Sequence, residues 1–190
     1  KDVHFLGLLS DGGVHSHITH LFGLLEAAND FGLTKTYVHA FTDGRDVDPK
    51  SGFGFLTALE DQLEKTNSKL ATVTGRYYAM DRDKRWERVK IAYNLLVKGE
   101  GSKTQNIIDA IQESYAENIT DEFIKPIIHT DATGNPIAVI KENDIVICFN
   151  FRTDRLRQTT IAFTQKDLPE YGMHTMDLQW YTMTNYKADF

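Results

Sequence analysis

One cysteine stands in 190 residues, so the chain holds no internal disulfide. That residue, Cys148, sits inside an apolar strand-like run, where a buried and inert thiol is the plain reading. No apolar stretch is long enough to span a bilayer, and no signal-peptide pattern is present. No membrane association is expected, and a cytoplasmic location is the default. Repeats, low-complexity tracts and interdomain linkers are missing as well, and the length fits a single domain over residues 1–190. A basic excess is also lacking: the net charge is −6. Proteins that live on nucleic-acid backbones carry a basic surface, so no nucleic-acid partner is expected.

Arginine is absent between residues 89 and 151, and the eight that exist fall in three runs. These are Arg45; Arg76, Arg82, Arg85 and Arg88; and Arg152, Arg155 and Arg157. Each run begins just after a β-like apolar segment: residues 37–41, 70–74 and 145–149. A guanidinium is a planar fork of donors that meets carboxylate or phosphate oxygens two at a time. Several forks at neighbouring strand ends would cage a small, multiply charged anion. An acidic body around such a cage would repel large polyanions and still admit a small one.

Hydrophobic spacing alternates between the two periods. Residues 3–9 read as a buried strand, 16–31 as a helix with Ser16 as N-cap and Gly32 as its stop, and 36–41 as a strand. A helix over 51–65, a strand over 70–74 and helices over 83–98 and 104–117 follow. Residues 126–130 and 136–140 flank Asp131-Ala132-Thr133-Gly134-Asn135 as a hairpin. A strand at 144–149, a helix at 154–164 and a strand near 178–185 complete the series. The fold class expected is α/β: three α/β/α layers with a mostly parallel, mixed sheet and a small antiparallel hairpin. The chain opens in a strand and stops soon after another, which reads as a piece of something longer.

Open parallel sheets bind ligands beyond the carboxyl ends of their strands. Four polar loops would share that rim: Ser10 to His15, Asp43 to Asp46, Gly75 to Tyr78, and Asn150 to Arg155. Gly12-Gly13 is either a tight turn or part of an anion-holding loop. His17 and His20 have the spacing of two metal ligands on a helix, but no cysteine or carboxylate set completes a zinc site, and His15 as a donor to a substrate oxygen is the better reading. Asp46 is either a surface partner of Arg45 or a general acid/base in the rim. Arg85 and Arg88 are expected to pair with Asp81, Asp83 or Glu87 on a solvated face, Arg157 to be structural, and Tyr77-Tyr78 to be packing.

Four long stretches carry a resemblance. They are Leu8-Leu9-Ser10-Asp11-Gly12-Gly13-Val14-His15-Ser16-His17, His39-Ala40-Phe41-Thr42-Asp43-Gly44-Arg45-Asp46, the run from Gly75 to Trp86, and Phe149-Asn150-Phe151-Arg152-Thr153-Asp154-Arg155. In order and spacing they closely resemble the cofactor-independent (2,3-bisphosphoglycerate-independent) phosphoglycerate mutases, and they span almost the whole chain. The resemblance implies an isomerase of glycolysis and gluconeogenesis that interconverts 3-phosphoglycerate and 2-phosphoglycerate without added 2,3-bisphosphoglycerate. It implies two domains: a phosphatase-like one with a nucleophilic serine and two divalent metals, often manganese, and an inserted substrate-binding or transferase domain. The serine motif, the metal-ligand motifs and a substrate lysine of the first domain are not in this sequence, so the resemblance is to the inserted domain alone. Carried over by position, His15, Arg45, Asp46, Arg76, Arg82, Arg152 and Arg155 are its substrate contacts, with Asp46 the acid/base, and no metal is assigned to these 190 residues. The fragment alone is expected to be inactive. A stand-alone phospho-ligand binding module without catalysis is the alternative.

Overall fold

The fold is described from a computed structural model over residues 1–188 and 190. Seven strands form one sheet: β1 Val3–Leu9, β2 Thr36–Thr42, β3 Lys69–Gly75, β4 Ser102–Thr104, β5 Ile127–His129, β6 Ile145–Cys148 and β7 Gln179–Thr182. Their order across the sheet is β4-β5-β3-β2-β1-β6-β7. The pairs from β3 through β7 are all parallel, while β5 runs antiparallel to β3 and carries β4 parallel to itself. Six helices flank the sheet: α1 Ile18–Asp30, α2 Gly52–Thr66, α3 Arg76–Ala79, α4 Trp86–Lys98, α5 Ile107–Ala116 and α6 Arg157–Thr164.

The central strands are continuous apolar runs because helices cover both of their faces. One core joins Leu21, Leu25, Leu56, Leu59 and Ile111 of α1, α2 and α5 to Phe5, Val38 and Val73 of the sheet. The other joins Val89, Leu96 and Phe163 of α4 and α6 to Leu6, Leu8, Phe41 and Val146. This is the three-layer α/β/α architecture with a mostly parallel sheet and one antiparallel strand pair. Cys148 is buried, and burial pushes its thiol up from the ordinary range, which suits the inert reading.

A polar thread crosses the second core. His4 Nε2 lies 3.2 Å from the Asp144 carboxylate, His4 Nδ1 lies 2.9 Å from His39 Nε2, and His39 Nδ1 lies 2.9 Å from the Thr72 hydroxyl. Donor bookkeeping fixes the tautomers. His4 donates to Asp144 through Nε2, His39 donates to His4 through Nε2, and Thr72 donates to His39. Burial lowers the pKa of both rings, so both are neutral links.

Local departures from the expected elements have physical causes. Ser16 does not cap α1; its hydroxyl donates to the Leu8 carbonyl, and His17 caps instead, accepting from the Thr19 N–H. Residues 136–140 form no strand. The expected hairpin closes through the single bridge Thr130–Pro136, and β5 spends its pairing on β3 and β4. Helix α4 starts three residues late because the Asp81 carboxylate accepts the Asp83 and Arg85 N–H groups and holds 81–85 as a turn. No helix among the described residues is long and apolar enough to cross a membrane.

Candidate functional site

Strands β3, β2, β1 and β6 are adjacent and parallel, so the loops after them share one rim. Side chains and backbone lock these loops together. His15 accepts from the N–H groups of Phe151 and Arg152 through its carbonyl, at 2.9 and 3.2 Å, tying the β1 loop to the β6 loop. Asn150 accepts from the Leu8 N–H at 2.9 Å. The segment Asp121–Phe123, a single 3-10 turn, is pressed onto the β2 and β3 loops. Gly44 has φ +63, and a Cβ there would lie 2.8 Å from that of Asp121; a Cβ on Gly75 would lie 2.3 Å from the Glu122 carbonyl oxygen. Only glycine fits either place.

Asp43 organises the centre of the site. Its carboxylate accepts from the Ser10 hydroxyl at 2.7 Å, from Arg76 Nη1 at 2.7 Å, and from the Arg45 and Asp46 N–H groups at 3.2 and 3.0 Å. Its pKa is lowered overall: burial opposes the charge, and these bonds and the Arg76 cation outweigh burial. Arg76, with its side chain 2% exposed, also donates from Nη1 to Asp46 Oδ2 at 2.6 Å, and its Nη2 lies 3.1 Å from His15 Nε2. An arginine only donates, so His15 Nε2 is the acceptor and the ring proton sits on Nδ1, 3.6 Å from Asp154 Oδ1. Burial, followed by the Arg76 charge, lowers the His15 pKa to about 4. The ring is neutral at physiological pH.

Asp154 bridges the remaining forks, accepting from Arg82 Nη1 at 3.0 Å and lying 3.1 Å from Arg152 Nε. Arg45 donates to Glu122 at 3.2 Å. Arg155 alone of the five has no carboxylate within ion-pair distance among the described residues. It donates to the Met80 carbonyl at 3.2 Å, and its buried Nε has no partner. Burial and the charges of Arg82, Arg76 and Arg45 depress its pKa, which marks a crowd of cations short of an anion. A cavity of about 370 Å³ opens here, lined by Arg45, Arg76, Arg82 and Arg155.

All seven sequence-derived residues thus meet at one rim. Arg85 and Arg88 depart from expectation: they line the same cavity instead of pairing with Asp81, Asp83 or Glu87. The Arg88 guanidinium lies 3.9 Å above the Tyr77 ring, and Tyr77 packs on Tyr78 and Phe123. Sequence reasoning missed Ser10, Asp43, Glu122 and Asp154. Asp43 and Asp154 stand within the quoted motifs, one or two residues from assigned arginines; Glu122, far off in sequence, left no signal.

One trio could hold a metal ion by distance: ligand atoms of Asp2, His4 and Asp144 lie within 4.8 Å of one another. The trio sits at the amino ends of β1 and β6, away from the rim. The Asp144 oxygens already accept from the Asp2 and Lys141 N–H groups and from His4. His17 and His20, with rings 6.1 Å apart, belong to no such trio among the described residues.

Fold and site together define an open-sheet α/β domain with an arginine-walled cavity at its carboxyl rim. The chain belongs to the family described as BPG-independent PGAM N-terminus, whose sequence model matches residues 1–188. It is 61% identical over 190 residues to the 2,3-bisphosphoglycerate-independent phosphoglycerate mutase of Flavobacterium psychrophilum and 56% identical over 191 residues to that of Parabacteroides distasonis. All of this chain is covered in both, but only 38% of each relative. A crystal structure of Leishmania mexicana phosphoglycerate mutase superposes with a TM-score of 0.93 at 32% identity, covering 100% of this chain and 36% of that one.

Proposed function

We propose that this chain is the substrate-holding domain of a phosphoglycerate mutase that works without added 2,3-bisphosphoglycerate. Residues 1–190 form one domain that grips 3-phosphoglycerate or 2-phosphoglycerate, and the phosphoryl transfer is completed by a phosphatase-like domain elsewhere in the same protein. The observation that carries this reading is the meeting of five arginines with His15 and Asp46 at one rim, in a chain of this family.

Phosphoglycerate has an anionic group at each end. Arg152 and Arg155 hold the phosphoryl end, and Arg45 and Arg82 hold the rest of the molecule. Arg76 acts differently, because its Nη1 is spent on Asp43 and Asp46; it sets the position of Asp46 and the tautomer of His15. Asp46 is the acid/base. It protonates the glycerate oxygen as the phosphoryl group leaves for a serine of the other domain, and takes the proton from the second hydroxyl as the group returns. The glycerate stays bound between the two steps, so the return is intramolecular, an advantage of roughly 7–11 kcal/mol in well-oriented systems. The arginines also neutralise charge on the moving phosphoryl group.

Two divalent metals are implied for this family's reaction. The Asp2, His4 and Asp144 trio does not fit them: both Asp144 oxygens accept backbone N–H groups, both His4 ring nitrogens are engaged by Asp144 and His39, and the trio lies off the rim. Their ligands are assigned to the part of the protein outside these residues. In the full-length protein, Asp46→Asn is expected to lower turnover by about a hundredfold or more while the thermal melt stays within the wild-type range. Near-normal turnover would remove Asp46 from its role.

A further inference from the structure

Beside the arginine cage lies a second cavity that the proposed reaction leaves unused. Its volume is about 420 Å³, against about 370 Å³ for the cage. Arg82 lines both, and its ion-pair partner Asp154 lines the second. The other side is made by Lys84, Trp86, Arg157 and Gln158.

Three observations give this cavity a ligand chemistry. Its charge is unbalanced: neither Lys84 nor Arg157 has a carboxylate within ion-pair distance among the described residues. Arg157 is oriented by neutral acceptors, the Tyr186 carbonyl at 3.0 Å and the Thr153 hydroxyl at 3.3 Å, so its charge is uncompensated. The one carboxylate in the lining, Asp154, already serves Arg82 and Arg152. Second, α4 begins at Trp86 and α6 at Arg157, so the first residues of two helices line the cavity. Third, Gln158 is only 6% exposed, and its amide Oε1 is buried with no hydrogen-bond partner. A buried amide end without a partner is uncommon in a folded protein; this oxygen has no accessible surface, so it meets a ligand once the side chain turns into the cavity. The amide can also turn over and present its N–H₂.

We propose that the cavity bounded by Lys84, Trp86, Arg157 and Gln158 is a second binding site for a small phosphorylated anion, separate from the cage and coupled to it through Arg82. The Lys84 ammonium and the Arg157 fork supply charge, and the Gln158 amide and the helix ends supply directional bonds. Trp86 walls the apolar part of the ligand. The Arg82 side chain is 46% exposed and belongs to both cavities, so an anion in one competes with an anion in the other. The effect is reciprocal: phosphate in the second site weakens phosphoglycerate in the cage, and the reverse.

The protein has two tryptophans, so Trp180→Phe leaves Trp86 as the sole tryptophan, excited selectively over the tyrosines. In that background, inorganic phosphate and 3-phosphoglycerate are titrated against the 190-residue chain. Saturable change in Trp86 emission is expected, and it survives in the cage double variant Arg45→Ala/Arg152→Ala. Lys84→Asn is expected to weaken it about tenfold; Lys84 has φ +58, a conformation that asparagine tolerates. Gln158→Leu, which keeps the buried volume, is expected to weaken it too. No Trp86 response up to tens of millimolar phosphate overturns the proposal, and so does a response that vanishes with the cage. A response seen in the 190-residue chain and lost in the full-length protein would assign the cavity to an acidic side chain of the remaining polypeptide, and also overturns it. The cage is disabled separately, so failure here leaves the phosphoglycerate reading standing.

Discussion

Four donors converge on the Asp43 carboxylate: the Ser10 hydroxyl, Arg76 and two backbone N–H groups of its own loop. Through them one buried side chain sets the place of Arg76, of the Arg45 and Asp46 backbone, and so of the Asp46 carboxylate. Asp43→Asn keeps the shape but loses the charge that holds Arg76, and is expected to weaken 3-phosphoglycerate binding about tenfold, about 1.4 kcal/mol by calorimetry; unchanged affinity would show that Arg76 needs no anchor. His15 offers a titration test. Its pKa of about 4 in the free protein lies below the ordinary 6.5 because of burial and Arg76. A folded-state value below the unfolded one means that the stability tied to neutral His15 is complete above about pH 6.5 and is lost as pH falls toward 4. A bound phosphoglycerate reverses the local field, so the His15 pKa, followed by NMR, is expected to rise on ligand addition; a constant value would place the anion elsewhere. The assigned arginines were legible in sequence because they follow strand ends. Their carboxylate partners were not, since an aspartate in a turn-rich loop reads as turn chemistry.

At the scale of elements, the rim depends on a turn that contributes no arginine. Asp121 is fully buried: it accepts the Gly52 N–H at 2.7 Å and the Tyr115 hydroxyl, while its own carbonyl takes the Thr42 hydroxyl at 2.7 Å. That anchorage presses Glu122 onto Gly75 and holds it against Arg45. Gly75→Ala puts a methyl into the Glu122 carbonyl and is expected to cost about 3 kcal/mol, lowering the melting temperature by about 10 °C for a domain of this size; a melt unchanged to within about a degree would mean that the turn yields freely. The alternation of strand and helix was readable because both periods are strong in the sequence. The antiparallel placement of β5 was not, because pairing direction depends on a neighbour far along the chain: β5 meets β3 more than fifty residues away. Arg85 and Arg88 line the cavity beside a turn in which the Asp81 carboxylate is taken up by backbone N–H groups, a commitment that helical spacing alone does not show.

Over the whole molecule, the cage stands in a chain that spans 38% of the length of relatives such as the Flavobacterium psychrophilum protein. Its outer forks are held by Asp154 and Glu122, and a ligand's oxygens would exchange with those carboxylates while Arg155 supplies unopposed charge. Such a site binds by electrostatics and pre-positioning, so its affinity should fall with ionic strength. The most direct test is a titration of the 190-residue chain with 3-phosphoglycerate, observed at arginine side-chain N–H groups by NMR. The account predicts saturable binding, with shifts at Arg45, Arg82, Arg152 and Arg155, weakened about tenfold or more by Arg152→Ala and unmoved by Lys103→Ala on β4. Absence of binding, or shifts confined to residues away from this rim, would contradict it.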